Sequence, residues 1–476
     1  MAARRPNLVF VFPDQMRGSA MGFVGIEPVH TPHLDAFARQ SLVLSQCAST
    51  YPVCSPYRAM LMSGQYPHRT GMLGNCNSNN SPLDTELPTE TRCWSDVLAD
   101  EGYSLGYIGK WHLDAPREPY IDCSNNRGQI KWNEWCPPNR RHGFDFWYAY
   151  GTYDQHMRPM YWRGDAPRDG FHYVDQWGPQ HEADMAIEYL RNTGGRYRKA
   201  DAPFAMVVSM NPPHTPYTQR PEHYRKRYDA LDIERLCTRP DIPPAGTQWG
   251  DHFRKVVRDY YAMVTGVDEQ FARIVSAIDD LGLADDTLIV FTSDHGDCTG
   301  IHEAPHKSIW WEASMQVPFM ARFPGRLTPR IDDLLLASPD IYPTLLGLMG
   351  LPAAIPATVM GTDLSATMLG DGMAGQRPTS QLYQWLTPHE PKAGARGVRT
   401  HRHKLIVSRR PEQPSNELQP LADQTGPVSL HLYDRIADPF ELQNIAAQQP
   451  ETVRSLIDKE LKPWLCRAED PFVIGA

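Results

Sequence analysis

The chain of 476 residues carries 47 lysines and arginines against 56 aspartates and glutamates, a formal net charge of -9. That length suits one large domain with a smaller companion, and an acidic balance without a long lysine/arginine run excludes a nucleic-acid surface. An anionic substrate would therefore need a local cluster of positive groups.

The amino-terminal stretch MAARRPNLVFVF has too short an apolar run for a signal peptide, and no segment reaches the length of a membrane span. The expectation is a soluble chain, cytoplasmic as given and periplasmic or secreted if a signal has been removed. Nine cysteines, an odd number without paired CxxC spacing, argue against a disulfide framework and a zinc cluster, and favour a reducing compartment. No oligomeric state follows from the sequence.

Apolar runs at Asn7 to Phe12, Leu105 to Ile108, Phe204 to Met210 and Leu288 to Thr292 read as buried parallel strands. Thr31-Pro32 opens a helix through an N-cap and a proline at its first position, and Ser55-Pro56 opens another, with Cys54 just before it. Phe253 to Leu281 is the longest helical pattern, and Ser338-Pro339-Asp340 starts one that ends near Gly350. This alternation predicts an α/β fold with a large, mainly parallel or mixed central sheet flanked by helices, spanning residues 1–370. After about Gly370 come Gly/Pro-rich linkers, strand-like pieces such as Lys404 to Val407 and a terminal helix from about Glu451 to Leu465. Residues 371–476 are therefore expected to form a smaller α+β domain with a short antiparallel sheet.

Each predicted strand runs into a polar cluster: Pro13-Asp14-Gln15, Gly109-Lys110-Trp111-His112, Asn211-Pro212-Pro213-His214 and Ser293-Asp294-His295-Gly296. Ligands of open α/β sheets bind outside the carboxyl ends of the strands, so these clusters should meet in one cleft. Asp14, Gln15, Asp294 and His295 offer oxygens for a hard divalent cation, with a histidine nitrogen that shifts the preference toward manganese or zinc. The plainer reading is that Asp14 caps a helix and Asp294 belongs to a turn. Lys110, His112, His214 and Lys307 are handles for a polyanion and for proton transfer, although singly each could be a surface cation or a satisfied histidine. At a helix N-terminus Cys54 has a dipole that favours its thiolate, but a small buried cysteine is the plainer reading.

Cys54-Ser55-Pro56-Tyr57-Arg58 matches C-x-P-x-R, the signature in which the type I sulfatases oxidise the cysteine to formylglycine, and Ser63-Gly64 with Arg69-Thr70-Gly71 resembles its continuation. RPNLVFVFPDQ, GKWH, NPPH and SDHGDCTGIHEAPHK extend the resemblance, in order, along the whole chain. It implies an alkaline-phosphatase-like fold and hydrolysis of sulfate esters, with a formylglycine-generating enzyme as the maturation partner. Asp14, Gln15, Asp294 and His295 would hold one divalent cation, calcium in most relatives, together with the modified Cys54. Arg58 and Lys110 would anchor the formylglycine, Lys110 and Lys307 would bind sulfate, His112 would act as base and His214 as acid. A hydrated aldehyde has one hydroxyl to attack sulfur and a second whose deprotonation expels sulfate, which a thiolate lacks.

Two positions depart from the common pattern: many relatives carry paired aspartates where this chain has Asp14-Gln15, and asparagine where it has His295. These substitutions resemble the phosphonate monoester hydrolases and choline sulfatases of the superfamily, whereas the intact Gly109-Lys110-Trp111-His112 stands against the former. Between Arg141 and Gln180 lie 11 aromatic residues among 40, interleaved with Arg158, Arg163, Arg168, His156 and His172. That pattern suits either a sulfated sugar or plain aromatic packing. A carbohydrate sulfatase is the leading expectation. The alternatives are an arylsulfatase or choline sulfatase, a phosphonate hydrolase or phosphodiesterase, and a non-catalytic saccharide binder.

Overall fold

In a computed structural model, residues 5–370, 377–387, 390–409 and 428–474 are described. The predicted linker after Gly370 lies partly outside them. The strands are β1 Asn7–Pro13, β2 Leu42–Ala48, β3 Ser104–Lys110, β4 Phe146–Tyr150, β5 Met160–Arg163, β6 His172–Tyr173, β7 Phe204–Met210, β8 Thr287–Thr292, β9 Phe319–Arg322 and β10 Arg330–Ala337. They form one mixed sheet in the order β10-β2-β9-β8-β1-β7-β3-β4-β5-β6. The four expected strands, β8, β1, β7 and β3, are its centre and run parallel with one another and with β4, which was not expected, while β9 and β5 pair antiparallel at either side. Being covered on both faces, β1 and β7 are buried at every residue, which is why they read as unbroken apolar runs.

Alternation along β1 sends Leu8, Phe10 and Phe12 to one face and Val9 and Val11 to the other. The second face is covered by the helix Gln248–Asp280, which starts five residues before the predicted Phe253 because the Thr247 hydroxyl caps it, accepting from the Gly250 N–H at 3.2 Å. The first face holds the helix Cys54–Ser63 and a second, antiparallel sheet: β11 Ser380–Thr387, β12 Glu390–Thr400, β13 His403–Ser408 and β14 Ser429–Asp434. Leu382, Val398 and Leu405 of that sheet share a core with Met60 and Leu61, so the two sheets are joined by apolar burial rather than by a polar seam.

The terminal helix departs from its expected form. It runs as Pro450–Leu456, widens into a π-turn over Ile457–Leu461 and resumes as Lys462–Arg467. Pro463 cannot donate to a carbonyl one turn back, and the wider turn accommodates its ring. All nine cysteines are free, and among the described residues no helix is long and apolar enough to cross a membrane.

Candidate active site

The helix Cys54–Ser63 begins two residues earlier than the sequence suggests. Val53 occupies the cap position in an extended conformation, and Cys54 is itself the first helical residue. Ser55 does not cap: its hydroxyl donates to the His112 carbonyl at 2.8 Å and accepts from the Cys76 N–H at 3.1 Å. A tertiary tether has taken the group that local propensity would spend on the helix end. Thr31 likewise sits at a cap position without capping, accepting instead from the Gly22 N–H at 2.7 Å.

Around Cys54 the carboxyl ends of β1, β3, β7 and β8 converge as expected. Asp14, after β1, holds Lys110 Nζ at 2.7 Å and Arg58 at 3.0 Å, and Asp294, after β8, shares the same guanidinium at 3.1 Å. Lys110 also donates to Asn211 at 3.1 Å and lies 4.0 Å from Cys54 Sγ. Lys307 reaches Sγ at 3.3 Å and Gln15 Oε1 at 2.6 Å. Gln15 is fixed from its other end, its amide donating to Asp297 at 2.7 Å, so its oxygen is turned toward Lys307 and the Cys54 pocket. Gly109 permits this approach: it has φ +99°, and a Cβ there would lie 2.1 Å from the Ser209 carbonyl oxygen.

One ligand atom from each of Asp14, Cys54, Asp294 and His295 lies within 4.8 Å of the other three. His295 Nδ1 faces the Gly296 carbonyl at 2.9 Å, and a carbonyl can only accept, so the ring proton is on Nδ1 and Nε2 presents a lone pair to the cluster. Nε2 stands 3.5 Å from Asp14 and 3.6 Å from Asp294. Acceptors gathered in a fully buried pocket suit a cation between them, and these residues fit one. Asp294 feels the crowding: burial and the adjacent Asp14 push its carboxyl up. Burial pushes Asp14 up too, but Lys110 and Lys307 carry it well below the usual carboxylate range. Burial and Asp14 raise the Cys54 thiol, yet the neighbouring cations, Lys110 and Lys307 foremost, outweigh them and bring it well below the ordinary thiol range.

The two remaining histidines are prepared for opposite tasks. His112, held at φ +53°, faces the Cys76 carbonyl with Nε2 at 3.1 Å, so Nε2 carries the proton and Nδ1 is left buried without a hydrogen-bond partner. Burial lowers its pKa, keeping it neutral and able to accept a proton. His214 points Nδ1 at its neighbour's carbonyl, that of Thr215, at 2.8 Å, with Asp154 at 3.4 Å. Burial and the two lysines pull its pKa down, but Asp14 and Asp154 prevail and raise it to about 9.

All ten residues singled out in the sequence therefore gather at one site. Above them opens a cleft of about 870 Å³. Part of its lining was not foreseen: Asn75 and Asn77 follow the signature helix, Trp132 lies in a loop, and Trp385 comes from β11 of the second sheet. The aromatic segment of residues 141–180, by contrast, is packing. Tyr150 and Tyr161 donate to buried Glu182 at 3.2 and 3.1 Å, Arg158 pairs with Asp175 at 3.0 Å, and Arg168 with Glu134 at 2.7 Å. Of that segment only Thr152 and Asp154 line the cleft.

Comparison with known proteins agrees with this geometry. The family profile described as Sulfatase matches residues 6–351, and that described as N-sulphoglucosamine sulphohydrolase, C-terminal, matches residues 300–467. The chain is 36% identical to an endo-4-O-sulfatase of Bacteroides thetaiotaomicron, covering 99% of this chain and 94% of the relative. It is 31% identical to an ulvan-active sulfatase of Formosa agariphila, over 98% and 82%. The crystal structure of yidJ from Bacteroides fragilis superposes with a TM-score of 0.91 at 48% identity, covering 98% and 97% of the two chains. A profile spanning most of the chain, the C-x-P-x-R helix start and the charged floor around it lead to one conclusion: this protein belongs to the sulfatase family.

Proposed function

We propose that the protein hydrolyses sulfate esters of carbohydrates to the alcohol and inorganic sulfate, with Cys54 matured to formylglycine by a formylglycine-generating enzyme. The observation that carries this reading is the convergence of Lys110, Lys307 and a helix N-terminus on Cys54, beside Asp14, Asp294 and His295, which with it fit a cation. The endo-4-O-sulfatase and ulvan-active sulfatase relatives favour a sugar over an aryl, choline or phosphonate group.

Asp14, Gln15, Asp294 and His295 would hold the cation together with the modified Cys54, and their oxygen-rich set suits calcium before manganese or zinc. Bound there, the ion supplies positive charge opposite the sulfate oxygens. Arg58, tied to Asp14 and Asp294, and Lys110 orient residue 54. Lys110 and Lys307 neutralise the ester's charge as it moves toward the leaving oxygen. His214 gives its proton to that oxygen, and His112 Nδ1 takes the proton whose removal releases sulfate. The test pairs sulfate release from a panel of sulfated oligosaccharides and aryl sulfates with the mass of the Tyr51 to Arg58 peptide. Sulfate from the oligosaccharides and an aldehyde at position 54 are expected; release without the aldehyde would refute the nucleophile.

The histidines predict a bell-shaped pH profile. His214 sits above its ordinary value, so its acid form persists to about 9 and its contribution to rate is lost above that. His112 sits below its ordinary value, so its base form survives into mildly acidic solution. His214→Ala should erase the alkaline limb and slow sugar esters by about 10²- to 10⁴-fold while hurting nitrophenyl sulfate much less. Equal losses on both substrates would remove the acid role.

A further inference from the structure

Among the described residues the cleft takes its positive charge from Lys110, Lys307 and, beside Asp154, His214. Lys110 and Lys307 both sit against Cys54, and among the described residues no arginine lines the space above. Arg158 and Arg168, the cations of the neighbouring aromatic segment, are occupied by Asp175 and Glu134. Aromatic side chains and neutral amides make up much of the remaining lining. Trp385 meets Tyr51 edge to face at 5.3 Å, and Trp132 lies in the loop of residues 128–132 that also contributes to the cleft.

The amides are oriented by their own anchors. Asn75 Oδ1 accepts from the Ser55 N–H at 3.0 Å, and Asn77 Oδ1 accepts from the N–H groups of Asn79 and Asn80, each at 3.0 Å. Backbone N–H groups can only donate, so the oxygens are fixed and each side-chain NH2 is left to donate elsewhere. On the wall beside His214 stands Asp154, a carboxylate held ionised: burial raises its pKa, but His214 and Lys110 bring it well below the usual range.

We propose that this cleft is built for an uncharged hexose ring, so that the scissile sulfate is the sole anionic group on the sugar that carries it. The inference rests on the sulfate-ester reading for the position of that sulfate and extends it to the rest of the ring. Ring hydroxyls and an N-acetyl carbonyl would take hydrogen bonds from Asn75 and Asn77, while the apolar ring face lies on Trp385 or Trp132. A second sulfate or a carboxylate would lose its water without gaining a cation beyond Lys110, Lys307 and His214, which the scissile group already engages, and would meet Asp154.

The test is calorimetric titration of the Cys54→Ala protein, which cannot turn over, with three kinds of ligand. These are N-acetylhexosamines sulfated at each hydroxyl in turn, the same rings with a second sulfate, and monosulfated uronates. The best monosulfated neutral ring is expected to bind at least about tenfold more tightly than either charged kind. Trp385→Ala, or Trp132→Ala should the first variant fail to fold, should weaken that ligand by about tenfold. Asn77→Arg should narrow or reverse the preference. Equal or tighter binding of a doubly charged ring would overturn the inference, as would binding of none of the three.

Sulfate release by the unaltered, matured enzyme on the same panel separates the two proposals. Release confined to the charged rings sinks this one and leaves the sulfatase reading standing. No release from any ring, with the neutral ring still bound, does the reverse.

Discussion

Replacing Cys54 by alanine is expected to lower sulfate release by at least about 10⁴-fold, the scale on which loss of a nucleophile registers, while the protein remains folded. The side chain is buried, but it is small and stands at the floor of a cleft rather than within the apolar core. Alanine keeps the first helical position, and Lys110 and Lys307 retain Asp14 and Gln15 as partners. Arg58→Ala would act differently. It strips a shared guanidinium from two fully buried carboxylates, which costs about 3–5 kcal/mol and falls on stability as well as rate. Measuring melting temperature beside turnover for both variants separates the roles. Sulfate release retained by Cys54→Ala would end the proposed mechanism.

The parts legible in the sequence share a physical reason. β1, β3, β7 and β8 are covered on both faces, so their composition is uniformly apolar, and the polar clusters that follow them stand out by contrast. What escaped the sequence depends on partners far along the chain. Ser55 looks like a helix cap until His112 and Cys76 claim its hydroxyl. Trp385 carries no local mark of function, and it lines the cleft because the core shared by the two sheets sets β11 against Tyr51. The aromatic run of residues 141–180 resembles a sugar platform in composition, yet Glu182 accounts for part of it. Burial pushes that carboxyl up to about 8, and it survives there because Tyr150 and Tyr161 give it their hydroxyls. Composition cannot distinguish a tyrosine that faces a ligand from one spent on a buried acid.

The second large effect concerns the cation. Adding calcium to chelator-treated protein should raise the melting temperature, because a ligand at about 100 times its dissociation constant stabilises the folded state by about 2.7 kcal/mol. Asp294→Asn should abolish that rise and most turnover while leaving the cation-free protein close to its original stability. Asp14 still pairs with Arg58 and Lys110 in that variant, and removal of Asp294 relieves a carboxyl already pushed up by its burial beside Asp14. Asp14→Asn should be worse in both respects. It removes the negative charge that holds Lys110 and Arg58 at 2.7 and 3.0 Å and leaves these buried cations short of a counter-ion, a loss of about 3–5 kcal/mol even without metal. The raised carboxyl of Asp294 adds a sign to the experiment: the cation must displace its proton, so affinity should climb with pH through that titration and flatten above it. A calcium-induced rise that survives in Asp294→Asn, or that falls with increasing pH, would place the ion elsewhere and detach these four side chains from the chemistry assigned to them.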